Sequence, residues 1–289
     1  MDADLDELRP LMFSIAYRMT GSVGDAEDIV QEAVIRTYRA ASQEALESAR
    51  AFATTITTRL AIDHLRSARV RREAYVGTWL PEPLLSNPDP APGPAERAEM
   101  ADSLSLAFLV LLESLSPVER AVFLLREVFG YDYGEIARAV DKSGPNCRQI
   151  FARARRHIDE GRPRFDASRR QGTELTERFL AAVGGGDIER FIDLLAPDVV
   201  MYGDGGGKAP AARTPIHGRE RVARMLRGLL RQISRWVAEV RPSQVNGQPG
   251  ILAYDHDGNL IGVMVFEVMD GQVQAIRSVI NPDKLRHLQ

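Results

Sequence analysis

The chain has 289 residues, 44% hydrophobic and 27% charged, with a formal net charge of -3; that length accommodates about two domains, and that composition excludes disorder as the whole answer. No apolar run is long enough for a membrane span, and Asp2, Asp4, Asp6 and Glu7 stand where a secretory signal would carry positive charge, so the sequence reads as cytoplasmic. A single cysteine, Cys147, excludes a disulfide framework and a cysteine-rich zinc site, and five histidines without close pairing argue against a metal centre.

Leu5, Leu8, Leu11, Met12, Ile15, Ala16 and Met19 recur at helical spacing until Gly21 breaks the run. Asp25 can cap a second helix whose apolar face is Ile29, Val30, Ala33, Val34 and Tyr38, with Glu27, Asp28, Gln31 and Glu32 largely on the other side. A third helix from about Ala49 carries Phe52, Ile56, Leu60, Ile62 and Leu65 and becomes arginine-rich toward Arg72. Six prolines between Gly77 and Pro94 then mark an extended linker. Within it, Trp79-Leu80-Pro81-Glu82-Pro83-Leu84-Leu85 is too apolar for a free tether and is expected to dock on another surface.

Beyond the linker, Leu104 to Leu115 reads as an apolar helix, and Ser116-Pro117-Val118-Glu119 as a capping box. Helices at Tyr133 to Val140 and Gly144 to about Ile158, joined by Asp141-Lys142-Ser143, have helix-turn-helix spacing. A helical hairpin with a solvated basic face fits the same spacing. From Thr173 the pattern becomes two short helices (Glu174 to Val183, Ile188 to Leu195), a strand at Val199 to Tyr202, a helix at Arg219 to Leu230, and strands near Arg235 to Val240, Ile251 to Tyr254, Leu260 to Val268 and Val273 to Ile280. This predicts an α+β domain in which a curved antiparallel sheet wraps a helix around a pocket.

Charge is distributed unevenly: residues 1–72 carry -1, 73–137 carry -8, 138–170 carry +6 and 171–289 carry 0. A polyanion meets the local clusters rather than the total. Arg59, Arg66, Arg69, Arg71 and Arg72 form one cluster and Arg148, Arg153, Arg155 and Arg156 another.

Asp25-Ala26-Glu27-Asp28-Ile29-Val30-Gln31-Glu32, with Ile62-Asp63-His64-Leu65-Arg66, resembles region 2 of the extracytoplasmic-function (ECF) sigma factors of RNA polymerase. The linker motif, Asp204-Gly205-Gly206-Gly207-Lys208 and Asn281-Pro282-Asp283-Lys284-Leu285 look like the subgroup that carries a C-terminal SnoaL-like domain of the NTF2 cone fold. The resemblance covers essentially the whole chain. It implies a multidomain protein: two all-α sigma domains, region 2 at 1–72 and a region 4 helix-turn-helix at 99–170, joined by a linker at 73–98 and followed by an α+β NTF2-like regulatory domain at 173–289.

The resemblance also implies partners and roles. Asp25, Glu27, Asp28, Gln31 and Glu32 would meet the basic helical clamp on the beta-prime subunit of the polymerase core. Opening promoter DNA requires a base held out of the stack; the segment from Tyr38 to Phe52 corresponds to the loop and pocket for the minus-10 base, and Arg59, Asp63, Arg66 and Arg69 to strand contacts. Arg59 stands where many members have Asn, and Phe52 where Trp is common, so Phe52 is expected in the core. Ser143, Asn146, Arg148, Gln149 and Arg153 match the minus-35 recognition helix, with Arg148 suited to bidentate guanine contact. Cys147 is expected to face the core.

In the third domain, Tyr202, Asp204, His217, Asp255, His256 and Arg277 are the residues an acid/base enzyme could use, and none has a diagnostic spacing. Asp204 to Lys208 reads as a surface loop rather than a phosphate loop. Trp79, Pro81, Glu82, Pro83, Asp204, Lys208, Asn281, Pro282, Asp283, Lys284 and Leu285 are the regulatory candidates, through which the C-terminal domain would contact the sigma domains and linker and modulate activity within one chain. No cofactor, metal, membrane or separate anti-sigma protein is expected. The alternatives are a SnoaL-like enzyme fused to a DNA-binding module, and a helix-turn-helix repressor that needs no polymerase.

Overall fold

Helices in the first half form where three- and four-residue apolar spacing coincides with a start or stop signal. The computed structural model describes residues 2–43, 48–73, 75–85, 105–161, 178–179, 181, 188–233 and 235–289. Helix α1 spans Asp2–Thr20 and stops at Gly21, whose φ of 67° is left-handed. Helix α2 spans Val23–Gln43. Its cap is Ser22, whose Oγ accepts from the Asp25 amide at 3.2 Å; Asp25, expected as the cap, lies in the first turn, where a carboxylate still favours the positive helix end. Helix α3 spans Ala49–Glu73.

Met12, Ile15 and Ala16 of α1, Ile29, Val30 and Ala33 of α2, and Ala53, Ala61, Ile62 and Leu65 of α3 are buried where the three helices meet. The predicted loop from 38 to 52 is mostly helical, since 38–43 end α2 and 49–52 begin α3; residues 44–47 lie outside the described set. Tyr38 is 48% exposed and so leaves the buried face assigned to it. Phe52 is half-buried rather than part of the core.

Helix α4 is shorter than predicted, Leu106–Leu112, and α5 spans Pro117–Phe123, continuing as a π turn over Leu124–Val128. Ser116 and Glu119 form the reciprocal capping box. Helix α6, Tyr133–Val140, starts at Asp132, whose carboxylate accepts from the Gly134 and Glu135 amides, and ends at left-handed Asp141. Those backbone bonds hold the Asp132 carboxyl below the usual range. Helix α7 spans Gly144–Gly161 and buries Cys147, Ile150, Ala154 and Ile158, the spacing of one helical face.

By packing, the chain divides into two compact units: Met1–Ala74 with Ala107–Arg162, and Tyr75–Leu106 with Pro163–Gln289. In the first, Arg120 fastens the two helical groups together. It is 3% exposed, and its Nη1 donates to the Met19 carbonyl at 2.5 Å and to Glu113 at 2.7 Å. Burial lowers the guanidinium below its ordinary value, so both acceptors are needed to hold the charge. Thr54 Oγ1 and Tyr131 OH lie 2.7 Å apart across the same seam.

The second unit contains α8 (Glu189–Ile192), β1 (Leu195–Asp204), β2 (Ile216–His217), α9 (Arg219–Ile233), β3 (Glu239–Val245), β4 (Gln248–Tyr254), β5 (Leu260–Met269) and β6 (Gln272–Val279). Sheet order is β2-β1-β6-β5-β4-β3. The predicted antiparallel sheet contains one parallel pair, β1 with β6, because the chain crosses over through α9 and the β3–β5 meander before returning beside β1. Strand β3 begins four residues later than predicted; Asn246 and Gly247, at φ 51° and 72°, make the tight turn into β4. The predicted helix from 174 to 183 lies mostly outside the described residues. Val222, Ala223 and Leu226 of α9 join a core with Phe191, Phe266 and Ile276. Among the described residues no helix is long and apolar enough to cross a membrane.

Arg277 of β6 pairs with Glu267 of β5, their side chains 7% and 1% exposed, and the guanidinium sits 4.8 Å over the Tyr202 ring. The predicted acid/base candidate is thus a buried structural cation whose partner the sequence did not mark. Replacing Arg277 by Met alone should destabilise this unit by roughly 3–5 kcal/mol, because it strands a buried carboxylate, whereas Arg277→Met with Glu267→Leu should recover most of the loss. Urea unfolding followed by Trp236 fluorescence measures both.

Candidate functional site

On α2, the helix turn of 3.6 residues brings Glu27, Gln31, Ile35 and Tyr38 to one exposed stripe beside Asp28. Glu27, Asp28 and Gln31 have no partner among the described residues, while Glu32 bonds Arg36 at 2.7 Å and Asp25 lies 3.1 Å from His64 Nε2. Three of the five predicted polar contacts are therefore unengaged. Ile35 and Tyr38, 39% and 48% exposed, extend the stripe and are not among the residues predicted to face a partner. Their four- and three-residue steps from Gln31 were the available signal.

The arginines of α3 do not act as one cluster. Arg59 donates from Nε to the Ala139 carbonyl at 3.2 Å and from Nη2 to the Arg138 carbonyl at 2.7 Å, occupying the C-terminal carbonyls of α6. Arg66 lies 3.3 Å from Asp63, both on the surface. The side chain of Arg69 lies outside the described residues. In the helix-turn-helix, Ser143, Asn146, Arg148, Gln149 and Arg153 are all exposed on the first three turns of α7. Ser143 Oγ accepts from the Asn146 amide at 3.4 Å. Arg148 stacks 5.2 Å over the Tyr133 ring, on which Arg126 also stacks at 5.0 Å. Arg153 is 4.0 Å from Glu119, and Arg155 is shared between Glu127 and Asp159. The unneutralised positive charge of α7 thus concentrates at Arg148 and Arg156.

In the second unit, residues 75–85 lie against the end of β1 and the C-terminal turn. Asp204 is fully buried. Its Oδ1 accepts from Tyr75 OH at 2.5 Å and from the Gly206 amide at 3.1 Å; its Oδ2 accepts from the Leu80 amide at 2.8 Å and from Lys284 Nζ at 2.7 Å. The predicted surface loop is therefore divided: Asp204 and Gly205 are buried, Asp204 as an anion site under the linker, while Gly207 and Lys208 are exposed. Lys284 also donates to the Leu80 carbonyl, and its ammonium lies 4.9 Å over the Tyr75 ring and 4.3 Å over the Trp79 ring.

The remaining motif residues complete the clasp. Asn281 donates to Tyr75 OH at 2.9 Å and caps the turn Pro282–Lys284 by accepting from the Asp283 amide. A side chain at Gly206 would place its Cβ 2.2 Å from Asn281 Nδ2, so that position admits only glycine. Lys208 pairs with Asp283 at 2.5 Å and holds its carboxyl below the usual range. Pro81 and Pro83 are buried and Glu82 half-buried. His287 Nε2 lies 2.8 Å from the Pro83 carbonyl, and Leu84 exchanges two bonds with Asn246, which the sequence analysis did not single out.

A cavity of about 1070 Å³ lies between α9 and the sheet. None of Tyr202, Asp204, His217, Asp255, His256 and Arg277 lines it. Asp255 instead accepts from the Asp257 and Asn259 amides in the β4–β5 turn.

A model of sigma-70 region 2 matches residues 5–71, one of sigma-70 region 4 matches 105–158, and one of the SnoaL-like domain matches 176–277. The chain is 35% identical to the ECF RNA polymerase sigma factor SigJ of Mycobacterium tuberculosis, over 98% of this chain and 92% of that protein. It is 28% identical to the ECF RNA polymerase sigma factor SigG of the same species, over 96% of this chain and 80% of that protein. The crystal structure of Mycobacterium tuberculosis SigJ superposes with a TM-score of 0.77 at 32% identity, covering 99% of this chain and 98% of that one.

Removing the charge at Asp204 strands a buried ammonium. Asp204→Asn should therefore accelerate chymotryptic cleavage after Trp79 by at least about tenfold, since losing one partner of a buried pair costs roughly 3–5 kcal/mol. Burial, and then the bond to Asp204, raise the Tyr75 phenol above its ordinary 10.0. The stabilisation from neutral Tyr75 is thus complete below that value and lost as pH rises beyond it. Trp79 fluorescence should stay constant through neutral pH and change only in the alkaline range.

Proposed function

The chain belongs to the ECF sigma factors of RNA polymerase, and on that premise we propose how its parts share the work of promoter-directed initiation. The exposed stripe of α2 docks on the beta-prime clamp of the polymerase core, through Glu27, Asp28 and Gln31 at its polar end and Ile35 and Tyr38 at its apolar end. Asp25 and Glu32, engaged with His64 and Arg36, orient this helix. The mixture of acids and exposed apolar groups supports a protein partner, since each alone would be cheaper to leave to water.

Helix α7 reads the minus-35 element with Arg148 as the base-reading residue and Ser143, Asn146, Gln149 and Arg153 around it. Tyr133 presets the guanidinium by stacking, which leaves the fork's edge for guanine. Arg66 and Arg69 meet the minus-10 strand, with Asp63 aligning Arg66. Arg59 is held by α6 in the free protein. The two promoter elements are centred about 25 base pairs apart, roughly 85 Å of duplex at 3.4 Å per pair. Helices α3 and α6 touch through Arg59, so the helical unit opens on the polymerase before both elements are read, and Arg59 becomes available at that step.

The C-terminal domain modulates this process in cis by anchoring the tether between the two DNA-reading segments. The observation that carries this reading is the clasp of residues 75–85 by Asp204, Asn281 and Lys284. It supports regulation from within the chain. In this reading the domain acts by binding, at the clasp of residues 75–85. The site of action is the cytoplasm, with core polymerase and promoter DNA as partners.

Reconstituted transcription with core polymerase tests the assignment. Arg148→Ala should lose roughly 1–3 kcal/mol of discrimination at one minus-35 base pair, while Arg66→Ala should weaken all promoters alike and reduce the salt slope by about one. Deleting 281–289 should change promoter-dependent output without changing affinity for core. Unchanged output after that deletion rules out modulation in cis, and absence of initiation from every promoter removes the residue assignments together.

A further inference from the structure

The cavity between α9 and the sheet has no occupant in the reading above. At about 1070 Å³ it is at the upper end of the size of small-molecule sites, and its walls are overwhelmingly apolar, with Met201, Met225 and Met264 among them. The mouth exposes Trp236 at 66% and Leu229 at 39%, two of the most exposed large hydrophobic side chains among the described residues.

The charged side chains at this site have one sign. Arg221 and Arg224 are the only ionisable side chains lining the cavity among the described residues, and neither has a hydrogen-bonding or ion-pairing partner among them. Three residues apart on α9, they lie on one helix face at the rim. Elsewhere on the same helix Arg227 is held by Glu189 through two bonds at 2.7 and 2.6 Å. Unpaired arginines beside an apolar interior match a ligand with an apolar body and a single acidic head.

The cavity wall and the linker clasp are built from alternate residues of the same two segments. Gly203 lines the cavity while its neighbour Asp204 holds the linker; Pro282 and Leu285 line the cavity while Asn281 and Lys284 hold the linker. Successive strand residues face opposite sides of the sheet, which is how β1 serves both. A ligand packed on Pro282 and Leu285 pins the turn that carries Asn281 and Lys284.

We propose that this cavity is an effector site for an acidic amphiphile, a long-chain carboxylic acid in class, and that occupancy tightens the hold on residues 75–85. The second half rests on modulation in cis; the first does not.

The intact chain is titrated by calorimetry with dodecanoate, 1-dodecanol and dodecyltrimethylammonium, each below its micellar concentration. Dodecanoate should bind with 1:1 stoichiometry and at least about tenfold more tightly than the other two, and Arg221→Ala/Arg224→Ala should remove that preference while leaving dodecanol unaffected. Both arginines are exposed, so the double variant keeps the fold. Equal affinity for acid and alcohol overturns the acidic class, and no saturable binding of any of the three overturns the site. Dodecanoate should also slow chymotryptic cleavage after Trp79 at least about threefold and alter Trp79 fluorescence in Trp236→Phe. Binding without either change, or with faster cleavage, overturns the coupling alone; unchanged output after deleting 281–289 in the assay above would instead overturn modulation in cis.

Discussion

The buried carboxylate of Asp204 constrains more of this molecule than any other group. Taking it and the Lys284 ammonium out of water costs several kcal/mol per ion, recovered only where every lone pair and proton has a partner. The four donors to Asp204 come from three segments: Tyr75 and Leu80 of the linker, Gly206 of the following loop, and Lys284 of the C-terminal turn. Two of the four are lost if the linker leaves. The arrangement makes the linker part of the C-terminal domain's core, although composition assigns it to the tether.

The same logic governs the helical unit. Arg120 is tolerated in the interior because Met19 and Glu113 share its protons, and Arg59 settles on the carbonyls that end α6 because a helix terminus leaves them without partners. Polar groups with unmet hydrogen-bonding capacity thus hold the helices of this unit together. The α2 stripe and the α7 surface stay outside these networks and remain available to partners. Exchange of one set of contacts for another, rather than refolding, is what such an arrangement permits.

Electrostatics follows from the same division. A total charge of -3 speaks against a polyanionic partner, yet the neutralising pairs fall unevenly. Arg155, Arg227 and Arg241 are bound to carboxylates, whereas Arg148, Arg156, Arg221 and Arg224 have none among the described residues. Two of those four lie on α7 and two at the cavity mouth. Pairing sets the field at each surface more than the count does.

Much of this was legible in the chain alone. The capping box at Ser116, the limits of α6, the stop at Gly21 and the inward face of Cys147 are local events, decided within one or two helical turns by side chains competing for backbone groups. The order of region 2, linker, region 4 and α+β domain was legible too, because composition and motif spacing change at each junction. The Asn246-Gly247 hairpin was legible and missed. What tertiary structure alone decided was the set of long-range partners. Asp204 lies 80 residues from Lys284 and 129 from Tyr75, Arg59 is 79 residues from the carbonyl it bonds, and Glu267 became a counter-ion only when β5 and β6 were paired. Local sequence determines which groups need a partner; only chain-wide packing decides which one they receive, because burial, which makes an unpaired charge costly, is a property of the whole fold.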